Sequence, residues 1–169
     1  MEEKKKKYIS KEQAKQKLQR YCAYQERCHQ EVRKKLLNLG IYGDDLEEVI
    51  YDLITENFLN EERFAQSFAR GKYRMSEWGR NRILMELKRR EISAYCIRKA
   101  MAEIDEEEYQ DIMYRAVKKR FLANTKLDSY PRKQKILAFA YRKGYEFEDV
   151  QRHLSQLEYD WENGDLEQF

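Results

Sequence analysis

The sequence has a single proline and six glycines in 169 residues, with three cysteines and two histidines. So few chain-breaking residues leave little room for the many tight turns of a sandwich or barrel, which argues against an all-β fold. Cys22, Cys28 and Cys96 are odd in number and have no C-x-x-C spacing. Neither a disulfide framework nor a zinc site is therefore expected, and the thiols read as reduced core or boundary residues. Long apolar runs are missing too. The longest, Ile136 to Tyr141, is far short of the ~20 residues that a membrane-spanning helix needs. The charged N-terminus leads into Ser10-Lys11-Glu12-Gln13 and not into an apolar segment, so no secretory signal is read and a cytoplasmic protein is expected. There is no P-loop, HExxH, Gly-rich dinucleotide turn or G-x-S-x-G elbow, so no catalytic residue, cofactor or metal is expected.

What the sequence does have is charge and aromatic rings. Charged residues make up 38% of the chain, and 13 Tyr, 7 Phe and 2 Trp set it apart from a disordered polymer despite a mean hydropathy of −1.01. The formal net charge is only +3, but the charges are segregated. Arg63, Arg70, Lys72, Arg74, Arg80, Arg82, Lys88, Arg89 and Arg90 face only Glu77 and Glu86 within their stretch. Shorter basic runs lie at Arg27 with Arg33-Lys34-Lys35, and at Arg132-Lys133, Lys135 and Arg142-Lys143. Acidic blocks around Asp44-Asp45 and Glu106-Glu107-Glu108 separate them; at helix starts such carboxylates favour the dipole without any catalytic role.

The basic runs recur because the chain does. A shift of 51 residues places Leu46, Ile50 and Leu53 on Ile97, Met101 and Ile104, and a further 53 places these on Val150, Leu154 and Leu157. The same shifts carry Val32 and Leu36 onto Ile83 and Leu87, then Ile136 and Ala140. Three copies of one unit are the result. Within a unit the apolar spacing is helical, as in Ala14, Leu18, Tyr21 and Cys22. Ser10-x-x-Gln13 reads as a capping box, Gly40 as a C′ glycine, Asp44 as the cap of the third helix, and Pro131 as a first-turn residue. The expected fold is all-α: three tandem three-helix repeats stacked into an elongated, curved rod. Its parts are a flexible basic N-terminus over 1–9, repeats over 10–57, 58–104 and 105–157, and an acidic, frayed C-terminal tail over 158–169. Without a heptad seam, a monomer is expected.

Glu26-Arg27-Cys28-His29-Gln30-Glu31-Val32-Arg33-Lys34-Lys35-Leu36 resembles the R-x-x-S-x-x-E-L-x-x-K-L segment of the RecX family of recombinase regulators. Asn57 to Ala65 is similar to its G-Y-L-D-D-x-R-F-A junction, and Gly79 to Ser93 to its G-x-x-R-I-x-x-E-L-x-x-K-G-I-S run. Lys135 to Tyr145 with Glu148-Asp149-Val150 completes the resemblance, which covers about residues 12 to 157. Cys28, Asn57, Asn60-Glu61 and Glu91 depart from the pattern; Glu91, where the family has glycine, is expected to carry left-handed strain. The resemblance implies a protein without catalytic activity that lodges in the groove of the RecA filament on single-stranded DNA. There it would suppress ATP hydrolysis, coprotease activity and strand exchange, with direct DNA contact in some members.

The candidate contact residues are Lys72, Arg74, Arg80, Arg82, Lys88 and Arg89 in the second unit. Arg33, Lys34, Lys133, Lys135, Arg142 and Lys143 are added from its neighbours by repeat equivalence, with Lys35 beside them. Trp78 either stacks on a partner with these bases or packs between two helices of its own unit. A sequence-neutral helical nucleic-acid-binding module is the alternative reading, since basic runs alone would suffice for it.

Overall fold

A computed structural model describes residues 8–166 and, among them, contains helices and no strand. The first repeat comprises α1 (Lys11–Tyr24), α2 (His29–Asn38) and α3 (Gly43–Thr55). The second comprises α4 (Glu61–Arg74), α5 (Arg80–Arg89) and α6 (Ala94–Met101), and the third α7 (Glu106–Leu122), α8 (Ser129–Lys143) and α9 (Phe147–Glu162). The expected flexible N-terminus falls largely on residues 1–7, outside the described residues.

Local chemistry sets the helix ends. Ser10 accepts from the Gln13 N–H at 3.1 Å while Gln13 Oε1 accepts from the Ser10 N–H at 3.0 Å, the reciprocal box read from sequence. Asn60, Ser93 and Asp105 cap α4, α6 and α7 in the same way through the N–H three residues on. α3 differs from expectation: it starts at Gly43 with Tyr42 in the cap position, and Asp44 lies in its first turn, where its charge meets the positive end of the dipole. Gly40 (φ 83°) and Gly144 (φ 86°) follow α2 and α8 in the left-handed conformation. At the corresponding place after α5, Glu91 takes φ 58°, the strain its sequence position implied.

The repeat register is the register of the core. Leu46, Val150, Ile50, Leu154, Leu53, Ile104, Leu157, Val32, Ile83, Ile136, Leu36, Leu87 and Ala140 are all buried, each worth about 1.5–3 kcal/mol for the larger side chains. The shift of 51 also places Ala14, Leu18 and Cys22 on Ala65, Ala69 and Tyr73. All six are buried, so the first helices of repeats 1 and 2 share one register. In each repeat the first and third helices pack together and the second closes the bundle.

Repeats 2 and 3 meet end to end. The Gly79 N–H donates to the Lys143 carbonyl at 2.6 Å and the Asn81 N–H to the Gly144 carbonyl at 3.0 Å. The N-terminus of α5 thus accepts the C-terminus of α8 as its cap, with opposite dipole ends in contact. Two glycines permit this approach: a Cβ on Gly79 would lie 2.1 Å from the Gly144 carbonyl, and one on Gly144 would lie 2.4 Å from Arg82 Cβ. Tyr145 donates to the Glu77 carbonyl at 2.5 Å and Lys143 to the Ser76 carbonyl at 3.0 Å, fastening the loop before α5 to the third repeat.

The C-terminal region corrects one expectation. α9 continues through Glu158 to Glu162, Trp161 packs on Phe121 with ring centroids 6.2 Å apart, and Leu166 is buried. Glu158 is held by Arg132, which is only 5% exposed, at 2.6 Å. A frayed tail from Glu158 is excluded, because that carboxylate neutralises a buried guanidinium that would otherwise be very costly.

These contacts set a contrast between two glycines. Gly79→Ala should destabilise the protein by about 3 kcal/mol, since its methyl would overlap backbone that cannot retreat. Gly71, inside α4 with nothing within 4 Å of an added Cβ, should accept alanine with a gain of about 0.5–1 kcal/mol. Urea unfolding followed by far-UV circular dichroism measures both.

Candidate functional site

The candidate residues lie on α4 and on the second helices α2, α5 and α8, and they fall into three groups. Arg74 and Arg80 are held by carboxylates. Arg74 donates to both oxygens of Glu108, at 2.8 and 3.0 Å. Arg80 pairs with Glu106 and with Glu146 and stacks 4.1 Å from the centre of the Tyr109 ring. The acidic start of α7 therefore neutralises two arginines of the basic middle segment, a pairing that the linear separation of acid and base conceals.

Tyr109 sits at the centre of this network. Its hydroxyl accepts from the Arg80 N–H at 2.9 Å and donates to Glu146 at 2.6 Å. Burial, and then the neighbouring Glu146 carboxylate, push the phenol well above its ordinary value, so it stays a proton donor. Edge-to-face contacts link Tyr109 to Tyr73 and Tyr145 at 6.5 and 6.3 Å, a packed aromatic row across the junction of repeats 2 and 3.

The second group surrounds Trp78. Arg82 lies 4.0 Å and Lys72 4.6 Å from the ring centre, and Phe68 meets its edge at 6.1 Å. Arg82 also donates to the Arg142 carbonyl at 3.2 Å. Of the two roles open to Trp78, packing is the one observed: the half-buried ring is occupied by its own chain's cations and orders them. Lys143, with its ammonium on the Ser76 carbonyl, borders the same junction.

The third group is exposed. Arg33 forks onto Glu47 at 2.7 and 3.1 Å, and Arg89 pairs with Glu86 at 2.9 Å while remaining 76% exposed. Lys35 lies 5.5 Å from the Tyr21 ring. Lys34, Lys88, Lys133, Lys135 and Arg142 are exposed and have no carboxylate partner among the described residues. An exposed lysine keeps a mobile point charge suited to a polyanion or an acidic protein surface.

Sequence reading passed over a further basic surface. Arg115, Lys118 and Lys119 line a groove of about 500 Å³ on α7, floored by Leu122 and Ala123. The run Lys118-Lys119-Arg120 was its only signal, and bases in the last turns of a helix are already accounted for by the dipole. No group of three or more His, Cys, Asp or Glu side chains able to hold a metal occurs among the described residues, and none of their helices is long and apolar enough to cross a membrane.

Comparison with known proteins places this architecture. Residues 60–101, spanning α4 to α6, match the second three-helix domain of RecX, and residues 106–154 match the third. Together they exceed half of the chain. The chain belongs to the RecX family. It is 30% identical over 134 residues to the regulatory protein RecX of Clostridium perfringens strain 13, covering 76% of this chain and 62% of that one. With the Lactococcus lactis subsp. cremoris strain SK11 protein of the same name it shares 31% over 141 residues, covering 82% of this chain and 52% of that one. The chain thus spans roughly half to two-thirds of the length of these curated relatives. The crystal structure of RecX from Lactobacillus salivarius superposes with a TM-score of 0.75 at 21% identity, over 88% of this chain and 97% of that one, which shows a shared fold.

The Arg74–Glu108 pair has a pH signature. Arg74, then Tyr73, hold the Glu108 carboxyl below its ordinary value of 4.5. A carboxylate depressed in the folded state contributes stability above its unfolded value and loses it as the pH falls through the folded one. Glu108→Gln should therefore be less stable than the parent at neutral pH, with the difference closing below about pH 4.5. Urea midpoints of both proteins across that range measure the closure.

Proposed function

We propose that this chain acts as a RecX regulator of RecA, binding the RecA filament on single-stranded DNA and lowering its ATPase, coprotease and strand-exchange activities. Family membership carries the reading, and the end-to-end order of three similar repeats supplies a mechanism. A rod whose units repeat can meet equivalent features of a helical filament, and linked weak contacts act at high effective concentration. Holding neighbouring protomers in one arrangement opposes the motion that hydrolysis requires, without any chemistry by the bound protein. Its place of action is the cytoplasm, and no cofactor takes part.

The twelve candidate residues enter this reading unequally. Lys34, Lys88, Lys133, Lys135 and Arg142 form the contact surface, assisted by Arg33, Arg89, Lys72, Arg82 and Lys143, while Arg74 and Arg80, neutralised by carboxylates, contribute least. The unpartnered lysines also favour direct contact with DNA, which is the second reading.

DNA-dependent ATP hydrolysis by RecA of the same organism, titrated with this protein below one molecule per RecA protomer, tests the function. Strong inhibition at such ratios is expected. Unaffected hydrolysis together with salt-sensitive binding to bare single-stranded DNA would replace this reading with the nucleic-acid module.

The surface has its own test. Lys34→Glu, Lys88→Glu and Lys135→Glu combined should weaken filament binding at least ~10-fold, with a shallower salt dependence and an unchanged circular dichroism spectrum. Undiminished binding by this folded variant removes these lysines from the surface.

A further inference from the structure

The two junctions between repeats are built differently. Between repeats 2 and 3 the Gly79–Gly144 contact brings backbone onto backbone. The repeat shifts carry Gly79 onto Cys28 and Gly144 onto Glu91, so the first junction has side chains where the second has none. Apart from the connecting turn, where the Phe58 and Leu59 N–H groups donate to the Leu53 carbonyl, no backbone–backbone hydrogen bond joins repeat 1 to repeat 2 among the described residues. Side chains bridge the gap instead. Gln30 donates to the Arg89 carbonyl at 3.1 Å, and Arg90 approaches Glu31 at 3.4 Å. Arg63 crosses the junction to Glu26 at 2.5 Å and also grips the connecting turn, donating to Asn57 Oδ1 and to the carbonyls of Asn57 and Phe58.

The apolar interior divides at the same place. Buried residues of α1–α3, with Leu59, form one core, whereas those of α4–α9 form a single continuous one. Cys28 is the one buried residue of repeat 1 that belongs to the larger core. Polar satisfaction breaks down here as well. Glu26 Oε2 and Arg90 Nε are the buried side-chain atoms without a hydrogen-bond partner among the described residues, and both belong to this junction. Each carries a desolvation cost that water would relieve. Beside them a cleft of about 360 Å³ separates Gln25 and Glu26 from Phe64 and Phe68 of α4 and from Met75, which follows it.

We propose that the first junction is a hinge, at which repeat 1 swings away from and back onto a rigid body made of repeats 2 and 3, with Arg63 as the latch. Opening leaves the smaller core whole, withdraws only Cys28 from the larger one, and hydrates Glu26 and Arg90. Sub-global opening of this kind follows the weakest interface in a structure. A rod with one joint can adjust its first unit after the other two have docked.

The three thiols of the unmodified chain report on it. Cys28, Cys22 and Cys96 are 0%, 5% and 6% exposed, so accessibility in the closed structure alone makes Cys28 the most protected. The hinge reverses that order. Labelling with N-ethylmaleimide is followed by peptide mass at each site, and each rate is divided by that of the same thiol in guanidinium-unfolded protein to cancel differences in intrinsic thiol reactivity. Cys28 should label at least ~10-fold faster than Cys22 and Cys96 on this scale, and Arg63→Ala should speed Cys28 a further several-fold while leaving Cys96 unchanged. Cys28 as protected as the others, unmoved by Arg63→Ala, or accelerated only together with Cys96 overturns the hinge.

Discussion

The approach of Gly79 to Gly144 is the contact on which the architecture depends. A helix N-terminus has free N–H groups and a C-terminus free carbonyls, and burying either without partners is costly. Here each end satisfies the other, with the Gly79 and Asn81 N–H groups on the Lys143 and Gly144 carbonyls. That is possible only where no Cβ intervenes. The consequences spread outward: α4–α9 share one core, the Tyr73–Tyr109–Tyr145 row crosses the boundary, and Arg80 reaches Glu106 and Glu146. Where the same places hold Cys28 and Glu91, the backbones do not bond and the core divides.

Electrostatics follow from this stacking. The basic middle of the chain, strongly charged as a string of residues, is substantially neutralised in three dimensions. Arg70 pairs with Glu103, Arg74 with Glu108, Arg80 with Glu106 and Glu146, and Arg90 with Glu31. Among the described residues, Lys34 on α2, Lys88 on α5 and Lys133, Lys135 and Arg142 on α8 are left exposed without a carboxylate partner. Several arginines serve here as clamps, forked onto carboxylates or stacked on aromatic rings, while Lys34, Lys88, Lys133 and Lys135 stay in solvent, in keeping with the planar guanidinium and the hydrated ammonium.

Much of the fold was legible because helical burial has a period. Leu46, Ile97 and Val150 recur at one interval since each faces the core of an equivalent bundle, and Ser10, Gly40 and Pro131 mark ends by local geometry alone. The candidate surface was only partly legible. Lys34, Lys88, Lys133 and Lys135 are as exposed as a charge run suggests, but Arg74 and Arg80 look the same in a linear string and are committed to carboxylates more than 20 residues away. The acidic C-terminal stretch misled in the opposite direction: Glu158 appears as one more tail charge until Arg132 is found buried against it.

The sequence by itself therefore determined the helical class, the three-fold repeat, the core positions, some of the helix ends and the family pattern, because each depends on residue type at short range or at a nearly fixed period. Only the tertiary structure decided which cations lack a carboxylate partner among the described residues, that repeats 2 and 3 share one core, and that beyond the connecting turn the first repeat is tied to the second through side chains. Those outcomes depend on the distance between backbones at a junction, and no local pattern encodes whether a helix end finds another helix or water.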